Sequence, residues 1–357
     1  MTMTPPATQD RWTMRSSSRS AAEDHSTLFP IGRSELFPSP FTPLEELQMA
    51  QAFAHTPVLS HEVVALFAPV PTGVLVDATV GGGGHSAALL AARDDLTLIG
   101  LDRDPVALEA ARQRLAPFGD RVTLVHATFA ELNDVTSGSG PLSGVLFDLG
   151  VSSPQLDVAL RGFSYRRDGD LDMRMDQTAG ATAGQLVNEL PEATLATLFR
   201  ENGEGRLAGR IARAIVAARP LTSTVQLADV VAAAVPAAVR RKGHPAARVF
   251  QALRIQVNDE LGQLEAALPT ALERLAVGGR CAVISYHSGE DRLTKQIFVA
   301  ASTGGCTCPP GLPCVCGARA QHRLVFRGSH QASAPEVAAN RRAESARLRA
   351  VERTGTA

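Results

Sequence analysis

Apolar residues between Val74 and Leu149 fall in four short blocks, Val74–Ala78, Leu96–Leu101, Val122–His126 and Gly144–Leu149. Blocks of this length without polar alternation suit strands buried on both faces of a parallel sheet. The segments between them change period. Ser86–Arg93 and Pro105–Leu115 repeat at helical spacing, the second with proline in its first turn, where the missing N–H costs nothing. A short helix and a Gly/Ser loop, Ser137–Ser143, come before the fourth block. Upstream, His55–Phe67 reads as an extended piece and a helix, with Ser60 as N-cap and Val63, Val64 and Phe67 on one face. Four alternations of strand and helix predict a doubly wound α/β sheet.

The alternation then stops. From Ser152 the chain is polar and irregular, and from about Ala183 to Val239 it reads as Ala-rich, Arg-studded helices. The α/β pattern returns with a long helix around Arg248–Leu264, a second ending at Gly278-Gly279, and a strand Cys281–Tyr286. The expected organisation is a disordered extension over 1–54, a first core part over 55–155, and an inserted helical substrate-recognition domain over 156–247. A second core part with a Cys-rich loop follows over 248–330, then a basic C-terminal tail over 331–357.

Composition changes this picture in two places. The 357 residues are 45% hydrophobic, enough for two cores. The net charge of −1 hides an uneven spread: His55–Gly150 holds 11 acids and 5 Lys/Arg, whereas Arg200–Arg254 holds 10 Lys/Arg and 3 acids. From Cys306 onward there are 8 Arg and 3 acids. Two basic segments beside an acidic one suit either a polyanionic partner or solvated helix faces. Lys242 and Lys295 are the only lysines, so the cations are guanidinium forks suited to phosphate. No run of 18 apolar residues and no signal-peptide centre exist, which points to a cytoplasmic protein without membrane contact.

The candidate chemistry starts at VLVDATVGGGGH, Val74–His85. Gly82–Ala87 fits GxGxxA, a glycine turn that lets a nucleotide approach bare backbone at a helix start. Asp77, Asp102 and Asp148 each close a strand, and Asp102 lies 18 residues past Gly84, where a carboxylate can accept both ribose hydroxyls. A purely structural strand end has no need of an acid. Phe129, after the third strand, can lie on an adenine ring or simply fill the core, and His85 is either a pocket residue or a cap. Beyond Asp148 the loop DLGVSSPQLD offers Ser152, Ser153 and Gln155 where substrate chemistry takes place in such sheets. His287 follows the returning strand and is either an acceptor-pocket residue or a satisfied structural histidine. Cys306, Cys308, Cys314 and Cys316 have spacing that admits one tetrahedral zinc or four unliganded loop thiols. On these residues alone the turn and strand-end acids suit a nucleoside-type cofactor, and a nicotinamide oxidoreductase competes with other enzymes that bind one.

Long motifs separate these readings. HTPVL at His55, DATVGGGGHS at Asp77, DLGVSSPQLD at Asp148, RGFSYRRDGDLDMRMD at Arg161, HPAARVFQALRIQVNDEL at His244 and NRRAESARLRAVER at Asn340 resemble the bacterial RsmH (MraW) family of ribosomal RNA methyltransferases. The resemblance implies a Rossmann-like class I S-adenosylmethionine-dependent methyltransferase sheet with an inserted, mostly helical domain. It implies transfer of a methyl group to N4 of a cytidine in 16S ribosomal RNA, with small-subunit RNA or the small subunit as partner; a homodimer stays open. The implied cofactor contacts are Gly83, Gly84, His85, Asp102, Phe129, Asp148 and Gln155. Asp148, with Ser152 and Ser153 as further acceptors, is the expected catalytic group. Two departures from the family pattern stand out: Val80 replaces a hydroxylated or aromatic residue, and Gly289 in SYHSGED replaces leucine, which is expected to loosen one wall.

Overall fold

The computed structural model describes residues 57–241, 244–308 and 315–355; the expected disordered extension over 1–54 lies outside them. The strands are β1 (Gly73–Asp77), β2 (Leu96–Asp102), β3 (Val122–His126), β4 (Leu142–Asp148), β5 (Leu275–Ser285), β6 (His322–Leu324), β7 (His330–Gln331) and β8 (Arg347–Arg353). They form one sheet in the order β3-β2-β1-β4-β5-β8-β6, with β7 also paired to β8. The pairs from β3 through β5 are parallel, and β8 runs antiparallel to both β5 and β6. The chain starts in the middle, winds out to β3, and returns to the other side of β1. A crevice therefore opens where β1 and β4 send their connections to opposite faces.

Strand periodicity divides the core. Leu75, Leu98, Leu146 and Ile284 point to one face, where the helix Ser60–Phe67 contributes Val63 and Phe67. Val76, Leu101, Val145, Phe147 and Val283 point to the other, against Leu264, Leu268 and Leu272 of the helix Glu260–Arg274 and Phe298 of the helix Ser288–Thr303. Both faces are covered, which is why the strands read as continuous apolar blocks.

Four expectations change. Ser60 is the first helical residue, not the cap: Leu59 precedes it in the left-handed region (φ 56°), and its N–H is held 2.7 Å from Glu336 Oε1. The helix expected over Arg248–Leu264 is two helices, Ala246–Asn258 and Glu260–Arg274, parted by Asp259 at φ 48°. The Gly278-Gly279 pair does not stop a helix. It lies inside β5, where the register jumps from Leu142↔Leu275 to Gly144↔Arg280. The stretch expected as a basic tail contains β8, an inner strand of the sheet, and two of its arginines are engaged internally. Arg349 forks onto Asp291, and Arg353 donates to the carbonyls of Glu273 and Leu275.

The helical insert has its own core. Val187, Leu195, Phe199, Ile211, Ile215, Leu227 and Val231 pack with Phe163 and Met173, and also with Val249, Phe250 and Leu253. The helix Ala246–Asn258, expected in the sheet domain from 248 onward, thus belongs to the insert's core. Arg161 joins the two regions. It is 2% exposed, donates to Asp104 at 2.8 Å beside β2, and reaches the carbonyls of Arg174 and Met175. Among the described residues no helix is long and apolar enough to cross a membrane.

Candidate active site

A cavity of about 390 Å³ lies over the carboxyl ends of the central strands. Gly81, Gly82, Gly84, His85, Asp102, Phe129, Asp148, Ser152 and Gln155 all line it. Gly83 does not. At φ 74° it precedes the helix Gly84–Ala92, and a Cβ there would meet Leu115 and Ala111, so this glycine serves close packing of helix on helix.

The acids at the strand ends do different work. Asp77 is buried, accepts the Ser86 hydroxyl at 2.6 Å and faces the N–H of Thr79. Burial pushes its pKa up to about 6, and the Ser86 bond only partly opposes this. Asp102 accepts the N–H of Gly81 at 2.8 Å and of Asp104 at 2.9 Å, which ties the glycine turn to β2. Burial, followed by the charge of Asp104, raises Asp102 to about 7. Asp148 has its N–H donated to Thr79 Oγ1 at 2.6 Å. Its Oδ1 accepts the Tyr286 hydroxyl at 2.8 Å, and its Oδ2 stands 3.4 Å from His85 Nε2. Burial works against protonating His85, but Asp148 outweighs it and raises the histidine's pKa. Tyr286 is pushed well above its usual value by burial and then by the Asp148 carboxylate.

The loop after β4 is shaped around that tyrosine. Gly150 has φ 102°, and a Cβ on it would come within 3.2 Å of the Tyr286 ring. The Ser152 N–H donates to Gln155 Oε1, and the Gln155 amide donates to Asp104 at 2.9 Å. Gln155 thereby ties the loop to the same carboxylate that Arg161 holds. Ser152 Oγ is buried without a hydrogen-bond partner. Ser153 starts the short helix Ser153–Asp157, and its side chain lies outside the described residues. Phe129 borders the cavity and packs edge-on against Phe147, with ring centroids 5.9 Å apart.

Sequence reasoning missed Tyr286, whose only signal was an aromatic directly after the returning strand. It also missed the wall beyond it: Arg254, Asn258, Glu260 and Glu290 line the cavity from the second half of the chain. His287 is absent from that lining. It caps the helix Ser288–Thr303, with Nδ1 accepting the N–H groups of Gly289 and Glu290. Gly289 lies under this cap, where a Cβ would sit 3.0 Å from the imidazole, so glycine here relieves crowding rather than loosening the cavity.

A sheet of this order, parallel from β3 through β5 and closed by the antiparallel β8, with a glycine turn after β1 and acids closing β2 and β4 around one cavity, defines a Rossmann-like class I methyltransferase. Residues 52–354 match the model of the MraW methylase family, and the chain belongs to that family. It is similar to "Ribosomal RNA small subunit methyltransferase H" of Heliobacterium modesticaldum, with 52% identity over 84% of this chain and 99% of the relative. The proteins of the same name from Thermobifida fusca and Symbiobacterium thermophilum are 53% and 54% identical. Each alignment covers 84% of this chain, with 94% and 96% of the respective relatives.

Proposed function

We propose that this enzyme transfers a methyl group from S-adenosylmethionine to N4 of a cytidine in small-subunit ribosomal RNA. The observation that carries the reading is Asp148, held between Tyr286 and His85 on the wall of the cavity whose far end presents Asp102 and Phe129.

The residues fit the donor. Gly81 and Gly82 offer bare backbone to its methionine part. Asp102 keeps lone pairs for two ribose hydroxyls beyond the two N–H groups it accepts, and Phe129 offers a ring to adenine. Bound S-adenosylmethionine supplies a methyl already activated on a sulfonium sulfur, so alignment carries most of the catalysis. Cytosine N4 is a weak nucleophile because its lone pair is delocalised into the ring. Methyl transfer would exchange the S–CH₃ bond for an N–CH₃ bond, and the proton that N4 must then lose would pass to the Asp148 carboxylate on the cavity wall. Asp148 orients the reacting groups, and the unpartnered Ser152 Oγ is a further acceptor beside it. Ser153 has the same role on sequence grounds.

The base must leave its stack to enter such a cavity. The exposed Arg206, Arg210 and Arg213 of the insert are the proposed phosphate contacts. Arg349 and Arg353 of β8 are not, because they serve the sheet.

The Cys-rich loop is proposed to hold one zinc. Sγ atoms of Cys306, Cys308 and Cys316 lie within 4.8 Å of one another, and Cys316 is 3.6 Å from Cys306. Zinc–thiolate bonds of 2.3 Å in a tetrahedron require sulfurs about 3.8 Å apart. Cys314, the expected fourth ligand, lies outside the described residues. Elemental analysis should give one zinc per chain, lost in Cys308→Ser; a metal-free chain overturns this part.

The main test is nucleoside mass spectrometry of small-subunit RNA, free and assembled, after incubation with labelled donor. N4-methylcytidine is expected, and its absence from both substrates defeats the proposal. Binding of the methyl donor but not NADH excludes the oxidoreductase reading.

A further inference from the structure

Stacked rings stand on the insert beside the cavity. Tyr165 is anchored edge-on against the buried Phe250 of the insert's core, with ring centroids 5.8 Å apart. His244 lies flat on Tyr165, with 4.5 Å between centroids and 22° between planes. Its Nδ1 accepts the N–H of Ala246 at 3.3 Å, which fixes the plane of the imidazole at the start of the helix Ala246–Asn258. The Arg166 guanidinium also lies over the Tyr165 ring, 5.5 Å from its centroid. Both His244 and Arg166 are exposed, so the stack runs from the core out to solvent.

The stack is joined to the cavity on one side and to the insert's arginines on the other. Leu156 and Arg342 line the cavity, and Asp157 stands between Arg342 and Arg167. Arg342 Nη2 donates to Asp157 Oδ2 at 3.0 Å, and Arg167 donates to the Asp157 carbonyl. Tyr165 is two residues from Arg167, at most about 7 Å of backbone. Beyond His244, Arg248 reaches the carbonyl of Gly203 at 3.4 Å, three residues before Arg206. Along this line the guanidinium groups of Arg342, Arg167, Arg166 and Arg248 outnumber the carboxylates of Asp157 and Asp168.

Cations interleaved with an exposed ring match a single strand of nucleic acid, whose phosphates take the charge and whose bases take the stacking face. A base that leaves its stack also deprives its neighbour of a partner, and a fixed ring beside the cavity replaces that partner. We propose that the Tyr165–His244 stack is the platform for one unpaired base next to the target cytidine, with Arg166 and Arg167 on the phosphates between them. This rests on the methyl-transfer reading above. Phe250 and the Ala246 N–H hold both rings in place beforehand, so little side-chain entropy is lost when the base arrives.

Two variants of the full-length enzyme test this, His244→Ala and His244→Phe. Both lose the bond from the Ala246 N–H, so a change in melting temperature is common to them and the ring alone distinguishes them. Binding is read on the small-subunit RNA fragment that carries the target cytidine and on assembled subunits that lack the methyl group. Kd for the fragment should rise about tenfold in His244→Ala and stay within about twofold of wild type in His244→Phe. Affinity for S-adenosylmethionine should be unchanged in both. Removing the base of one nucleotide that flanks the target should weaken binding by wild type and His244→Phe about tenfold and leave His244→Ala unaffected. Equal losses in the two variants, or no loss in His244→Ala, overturn the proposal. So does a loss confined to assembled subunits, which would make the occupant a ribosomal protein. A wild type that binds the RNA yet leaves cytidine N4 unmethylated defeats the underlying reading instead.

Discussion

The sheet domain and the helical insert bury different things. Asp77, His85, Asp104, Asn258, Glu260 and Glu290 are all buried at or near the carboxyl edge of the sheet. The insert's core, from Phe163 to Leu253, buries one polar side chain among the described residues, Thr224, which donates to the Arg167 carbonyl and accepts the Gly169 N–H. An apolar core of this kind lowers the free energy of folding at every position. Buried ionisable groups do so only when fully paired: burial pushes Asp77 and Asp102 toward their neutral forms, whereas Glu290 is held charged against burial by His287, Arg254 and the Tyr286 N–H. The contrast separates a region that buries ionisable groups around a cavity from one whose interior only holds shape.

Arg161, the strut between them, gives the largest expected effect. Arg161→Ala leaves Asp104 buried with only Gln155 as a side-chain partner and should cost about 3 to 5 kcal/mol. Calorimetry should show one transition moved to lower temperature. An unmoved transition would mean that the two regions do not depend on this contact. Next in size, Asp148→Ala should lower methylation by on the order of 100- to 1,000-fold while the fold survives. Near wild-type turnover would take the reacting centre away from β4.

A smaller effect follows from Asp102. Its carboxylate form is the proposed acceptor of the ribose hydroxyls, and burial raises its pKa to about 7. Donor affinity should therefore be greatest above that value and fall up to about tenfold per unit as pH drops below it. The stability contribution has the opposite sign: a raised carboxylate pKa favours the fold at low pH and disfavours it as the group ionises. Titration calorimetry across this range, with Asp102→Asn as a flat control, checks both signs. The smallest effect per residue belongs to the insert's surface. Reversing Arg206, Arg210 and Arg213 should weaken RNA binding and lower the salt slope by about one per lost phosphate contact. An unchanged slope would remove the insert from the RNA footprint.

Legibility in the sequence followed the range of each interaction. The four apolar blocks and the acids that end three of them were readable because strand burial and strand-end chemistry are local. So were several residues that line the cavity, from Gly84 through Phe129 to Gln155. Tyr286 and Asp148 are 138 residues apart, and Arg161 and Asp104 are 57 apart, so neither pair leaves a local signature. Gly83 lies outside the cavity lining, because the fingerprint marks where glycines stand, not which of them border a cavity. The strand RLRAVER reads as a basic tail when its arginines alone are weighed. Its buried Leu348 and Ala350 alternate with Arg347 and Arg349, a period of two that was available in the sequence.

That strand also binds the cavity to residues far along the chain. β5 gains its second neighbour only from residues 347–353, and Asn340, Arg342 and Ser345 on the approach to that strand complete the cavity wall. The wall that includes Tyr286 is therefore a closure between distant parts of the chain, and the seam that finishes the sheet is the same seam that finishes the cavity.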